Sequence, residues 1–180
     1  MRRYEFMHIP KTGGSSVAKA LNIESDHRIQ HKRIIDDDVF KFTFVRNLWD
    51  RFVSIYNYCV KGSDVYRYRN VEQEVSFELF CDIRATGLHI GNPFVWNIHY
   101  RDQSDFIDLN DIDFIGRFEN IQRDFDRVCE CIGLEQIELQ KVNCTDRMNY
   151  IEYYNDRTRD IIYNVYRNDI KHFGYEFDVL

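Results

Sequence analysis

The sequence predicts an α/β domain in three layers, with a short, mainly parallel central sheet flanked by helices. Apolar runs that pass through a polar turn into helix-like runs occur twice early in the chain, around residues 4–21 and 40–56, the alternation expected of parallel strands and their helices. A third such segment begins near Ile112. The length of 180 residues, with 44% apolar and 16% aromatic residues, suits one domain spanning 1–180 with its own core. Strands are expected near 3–9, 40–46 and 112–117, all central, and helices from about 14, 48, 72, 119 and 155.

The first strand is Tyr4-Glu5-Phe6-Met7-His8-Ile9, short and buried, closed by Pro10. Lys11-Thr12-Gly13-Gly14-Ser15-Ser16 follows, then Val17-Ala18-Lys19-Ala20-Leu21 as the first turns of a helix. Two glycines let the backbone turn tightly with several N–H groups facing inward. Those donors, a helix N-terminus, the hydroxyls of Thr12, Ser15 and Ser16 and the Lys11 ammonium suit a phosphate or sulfate. Lys11 precedes the glycines, whereas in a Walker A loop the Lys follows them, which weakens a nucleotide-kinase reading. By itself the segment also fits a glycine-rich turn that binds nothing.

The second strand alternates Phe40, Phe42 and Phe44 with Lys41 and Thr43. Asn47 is a helix N-cap candidate, and Leu48, Phe52, Ile55 and Tyr56 share one face of the helix after it. Arg46 stands at the strand's carboxyl end, where open α/β sheets bind ligands, and Ser54 lies two turns into the helix. Taken alone, Arg46 with Asp50 or Arg51 also fits a surface ion network.

Together the two segments resemble the nucleotide-binding core of sulfotransferases that use 3′-phosphoadenosine 5′-phosphosulfate (PAPS), in the carbohydrate sulfotransferase branch with its small soluble bacterial relatives. Residues 8–16 match the family's 5′-phosphosulfate loop, H-I-P-K-T-G-G-[ST]-S, and residues 44–54 match its 3′-phosphate segment, F-V-R-N-P-x-D-R-x-x-S. Leu48 replaces the usual Pro, at a helix start where Pro is favoured but dispensable. The resemblance implies a fold related in plan to P-loop kinases, PAPS as co-substrate, a phosphosulfate cradle of Lys11, Thr12, Gly13, Gly14, Ser15 and Ser16, and a 3′-phosphate site of Arg46 and Ser54. Transfer to a hydroxyl of a carbohydrate or glycoconjugate follows as the implied activity.

Further segments extend the resemblance over nearly the whole chain. Ile115–Asn120 and the helical run Ile121 to Leu134 resemble the family's G-R-F-E segment and its helix; Arg117 is a candidate pocket support or an ion-pair partner. Tyr100-Arg101-Asp102-Gln103-Ser104-Asp105-Phe106 resembles R-P-Q-S-x-[FY], with Asp102 in place of Pro, and makes Arg101 and Gln103 candidates for the acceptor side. Asn143–Arg147 with Tyr153-Tyr154 resembles a loop closing over the nucleotide, which implies Thr145 and Arg147 as phosphate contacts. Asp169–Tyr175 matches the terminal D-x-x-x-F-G-Y, and the tyrosines around it read as helix packing.

Sulfuryl transfer needs a base, and the resemblance puts a His or Glu between the two phosphate segments. His27 and His31 stand there, with an unperturbed pKa near 6.5 and cationic neighbours that favour the neutral form. His31, before Lys32-Arg33-Ile34-Ile35, is the favoured base and His27 the alternative. Two other readings stay open: a noncatalytic nucleotide-binding module of the same fold, and an ATP-dependent kinase with a P-loop-like fold.

Charge is uneven. Residues 1–70 carry a balance of +5 and residues 71–180 one of −11, within a net charge of −6. The positive part holds both proposed phosphate segments and would attract a polyanionic cofactor, while the net acidity argues against nonspecific nucleic-acid binding. Five cysteines lack C-x-x-C spacing, and Cys129 and Cys131 would face opposite ways on a helix, so they read as reduced thiols and no metal site is expected. No apolar run reaches bilayer length and no signal-peptide pattern precedes the first strand. A cytoplasmic protein without a membrane anchor is expected, the alternative being a trimmed lumenal domain of a Golgi-type enzyme.

Overall fold

The computed structural model describes residues 2–24, 38–60, 75–87, 98–140 and 147–178. In chain order these form β1 (Tyr4–Met7), α1 (Gly14–Ala20), β2 (Phe40–Val45), α2 (Leu48–Val60), α3 (Phe77–Thr86), β3 (Phe114–Arg117), α4 (Ile121–Ile132), α5 (Asp156–Val165) and α6 (Arg167–Phe173). They fall into two compact units, Met1–Arg46 with Gln103–Cys144, and Asn47–Asp102 with Thr145–Leu180.

The first unit holds the sheet. Its order is β1-β2-β3 and both pairings are parallel, with Phe6 opposite Phe42 and Phe44 opposite Gly116. The α/β class is therefore as the sequence predicts, but only β2 is central among the described strands. β1 was expected to be buried along its length, yet only Phe6 is, because β1 has a described neighbour on one side alone.

Phe40, Phe42 and Phe44 alternate onto one face of β2 and pack with Phe6, with Val17 and Leu21 of α1, and with Phe125, Val128, Cys129 and Ile132 of α4. The intervening Lys41 and Thr43 are buried as well, and each polar group is answered. The Lys41 ammonium is 2.7 Å from Asp111, its N–H donates to Asp113 at 2.7 Å, and the Thr43 hydroxyl donates to the Met7 carbonyl at 2.6 Å.

α4 begins at Ile121 because a 3₁₀ turn occupies Phe118–Asn120, and it stops at Ile132, two residues before the expected end. Gly133 takes a left-handed φ of 73°, which ends a helix at no steric cost.

In the second unit, Asn47 caps α2 as anticipated, its side-chain oxygen accepting from the Trp49 N–H at 3.1 Å. Phe52 anchors the packing, its ring 5.2–6.3 Å from those of Phe77, Phe80, Tyr100 and Tyr166. The helix expected from about 72 begins at Phe77, where the Ser76 hydroxyl accepts from the Leu79 N–H. α5 begins at Asp156 behind a capping box between Asn155 and Thr158. The terminal motif is structural: Asp169, Phe173 and Tyr175 are buried, and Gly174 (φ 64°) closes α6.

Cys59, Cys81, Cys129 and Cys131 are free thiols, Cys131 exposed and the others buried. Burial pushes the Cys81 thiol well up, away from the reactive thiolate. Under a maleimide, Cys131 is expected to label in the native protein and Cys81 only on unfolding, as read by peptide mass mapping; native labelling of Cys81 would contradict its packing. Among the described residues, no helix is long and apolar enough to cross a membrane.

Candidate anion-binding site

The segment after β1 turns through two left-handed residues, Lys11 (φ 69°) and Gly13 (φ 84°), with Thr12 at negative φ between them. Such alternation directs successive main-chain N–H groups toward a shared concavity, the geometry of an anion nest. Gly13 is required twice over. A Cβ there would lie 2.5 Å from Ile121 Cδ1, and its φ disfavours any side chain. Gly14 is required for room: a Cβ would lie 2.0 Å from the imidazole Cδ2 of His8, whose ring stacks on Phe6.

Lys11 adopts its left-handed conformation without glycine's freedom, at a cost of roughly 1–2 kcal/mol. A charged donor offsets this. Arg46 Nη1 donates to the Lys11 carbonyl at 3.1 Å, and a hydrogen bond to a charged group contributes about 1.5–3 kcal/mol. The Arg46 guanidinium carbon sits 3.9 Å from the Phe118 ring centroid, within cation–π range. Its main chain is gripped at both polar groups: its N–H donates to Gln103 Oε1 at 2.9 Å, and Gln103 Nε2 donates to its carbonyl at 3.0 Å.

The structure thus brings the two motif segments into contact, with Arg46, after β2, bonded to the loop that follows β1. β1 and β2 are parallel neighbours, so both segments leave the same edge of the sheet. Arg46 is 6% exposed, Asp50 9% and Arg51 1%, so none of the three lies at the surface. Arg51 instead donates to the carbonyls of Arg101 and His99, at 2.9 and 3.1 Å.

Other candidates take different places. The Thr12 hydroxyl, expected toward the anion, is buried and donates to the Ile9 carbonyl at 2.8 Å, because the tight turn folds the side chain back beneath the loop. Ser15 and Ser16 are half-buried in the first turn of α1, a helix of only seven residues, so the loop's own amides and Lys11 matter more than a macrodipole. Gln103, expected on the acceptor side, is fully buried with both ends of its amide on Arg46, where it clasps the end of β2.

Arg117 contributes its main-chain N–H to Asp124 at 2.8 Å. Ser54, Arg101 and Arg147 belong to the second unit. Ser54 is half-buried on α2, and Arg101 is half-buried with its carbonyl on Arg51. Arg147 pairs with Asp50, in the first turn of α2, and its buried Nη1 has no hydrogen-bond partner. His27, His31 and Thr145 lie outside the described residues. Among the described residues, no group of three His, Cys, Asp or Glu is placed to hold a metal ion.

Phe118 joins the site as a residue that the motifs do not single out. Its place directly after β3 was legible in the Gly116-Arg117-Phe118-Glu119 segment, but its contact with an arginine 72 positions earlier was not.

A parallel α/β sheet with a nest-like loop and a buried arginine at the carboxyl ends of neighbouring strands is the arrangement that α/β folds use for phosphate-like groups. Residues 5–176 match the model of the sulfotransferase family, and the chain belongs to that family. Sulfuryl transfer is accordingly the class of its activity. No curated protein matches the chain closely enough to narrow this further.

Proposed function

We propose that the protein transfers a sulfuryl group from PAPS to a hydroxyl of a carbohydrate or glycoconjugate, releasing 3′-phosphoadenosine 5′-phosphate. The observation that carries this proposal is the hydrogen bond from Arg46 to the Lys11 carbonyl, which ties the segment resembling the 3′-phosphate site to the one resembling the phosphosulfate loop. In the transfer, the acceptor oxygen attacks sulfur in line. Its proton passes to His31, or to His27. The bond from sulfur to the bridging oxygen breaks, and its electron pair leaves with the nucleotide's 5′-phosphate.

The Lys11 ammonium follows the charge growing on that bridging oxygen, while the amides of Thr12, Gly13 and Gly14 hold the phosphosulfate with Ser15 and Ser16. Positioning and fixed charge supply most of the acceleration in such transfers. Arg46 and Ser54 are assigned to the 3′-phosphate, and Thr145 and Arg147 to the nucleotide's phosphates. The buried Nη1 of Arg147 is a donor that a phosphate would satisfy. Arg101 is retained as an acceptor-side residue on the resemblance alone.

Calorimetry with the bisphosphate product and with ATP tests the donor. The bisphosphate is expected to bind in the micromolar range or tighter and ATP at least about tenfold more weakly, a difference of ~1.4 kcal/mol. Tight ATP binding with no heat from the bisphosphate would sink the PAPS assignment.

A further inference from the structure

We propose that Gln103 and Phe118 are positioning residues for the Lys11–Gly14 loop, acting on it through Arg46. The functional meaning rests on the assignment of that loop to the phosphosulfate, whereas the mechanical coupling stands on the contacts alone.

Gln103 opens the 3₁₀ turn Gln103–Phe106 and reaches back across 57 residues of sequence to Arg46. A fully buried glutamine has one acceptor and two donors to satisfy, and here the acceptor and one donor close on a single residue's N–H and C=O. The main chain at the end of β2 is therefore held from both sides. An arginine so anchored still carries about 2 kcal/mol of side-chain conformational entropy. The Phe118 ring, 3.9 Å from the guanidinium carbon, restrains that freedom and provides a face that a guanidinium fits better than an ammonium.

Arg46 Nη1 is directed at the Lys11 carbonyl. Because the peptide group is planar, a carbonyl held in one direction fixes the N–H of Thr12 in the other. The order of control is thus Gln103 and Phe118, then Arg46, then the Lys11–Thr12 peptide, then the amides that would face the anion; the Phe118 ring also borders Gly13 directly, so the double variants with Arg46→Lys separate the route through Arg46 from that contact. Neither Gln103 nor Phe118 needs to touch the ligand. An error of about 1 Å in a reacting group's place can cost about 10²-fold in rate, which is why such support matters.

The test uses Gln103→Leu and Phe118→Leu, each alone and combined with Arg46→Lys. Amide hydrogen exchange of Thr12 and Gly13 is followed in the ligand-free protein, with Phe42 and Phe44 of β2 as internal controls, and affinity for 3′-phosphoadenosine 5′-phosphate is measured by calorimetry. In the single variants the loop amides are expected to exchange about tenfold faster, and the affinity to fall about tenfold, the scale of one lost buried hydrogen bond for Gln103→Leu and of one lost desolvated cation–π contact for Phe118→Leu. The strand amides should hold their rates. In the Arg46→Lys background the further affinity loss should largely vanish, since the intermediary is already compromised.

If Gln103→Leu does not fold, Phe118→Leu decides, because it keeps an apolar side chain at the site. Unchanged loop exchange in folded Phe118→Leu overturns the proposal. So do affinity losses that add in full to that of Arg46→Lys, which mark a purely structural role. Faster loop exchange in a protein whose wild type ignores the bisphosphate supports the positioning role and refutes the nucleotide assigned above.

Discussion

Lys11→Ala is expected to lower the turnover of sulfuryl transfer by about 10²–10³-fold, the scale for removing one preorganised group that stabilises developing charge. The substitution keeps a Cβ, so it adds no backbone strain to the φ of 69° already present at this position. The Lys11 carbonyl, which Arg46 holds, is main chain and survives the change. The loss should therefore fall on turnover more than on product affinity, as for an interaction strongest in the transition state. Labelled PAPS with a panel of hydroxyl acceptors measures it. In the same assay His31→Ala should be severely impaired, and a defect confined to His27→Ala moves the base there. Near-normal turnover in Lys11→Ala would remove it from the chemistry.

Gly116→Ala is expected to lower stability by about 1–3 kcal/mol, the range for overpacking a closed core. A Cβ at Gly116 would lie 2.5 and 2.6 Å from two ring carbons of Phe44, the residue directly opposite it across β2 and β3. That ring has nowhere to retreat: it is fully buried, edge-on to Phe42 at 6.2 Å and near Phe6 at 6.4 Å. Gly116 has no positive φ, so the requirement is for space and not for conformation. Urea unfolding should show a lower midpoint with an unchanged slope. Phe44→Leu in the Gly116→Ala background should recover part of the loss, because the planar ring is the obstacle. A midpoint equal to wild type for Gly116→Ala alone would refute this account of the glycine.

Local physics made much of this legible. The Phe40, Phe42 and Phe44 alternation marked β2, and Asn47 marked the start of α2, because strand periodicity and helix capping act over a few residues. Gly13 and Gly14 were readable as a tight turn for the same reason. The Thr12 hydroxyl was misdirected, since a side chain's local choice between ligand and its own loop depends on where the Ile9 carbonyl arrives. The burial of Gln103 is harder to read from sequence. A glutamine in a polar segment looks exposed, and only a fold that carries it to Arg46 buries both ends of its amide.

The sequence by itself determined the α/β class, the order of strand, loop and helix, and membership of the sulfotransferase family, because these are written in short-range pattern and in ordered motifs from residue 8 to 175. The tertiary structure decided which side chains serve the loop and which serve the scaffold. The contacts concerned join Lys11 with Arg46, Arg46 with Gln103 and Phe118, and Phe44 with Gly116, pairs separated by 35 to 72 residues. Distance along the chain carries no record of such meetings; they are set by parallel register and by the need to satisfy buried polar groups.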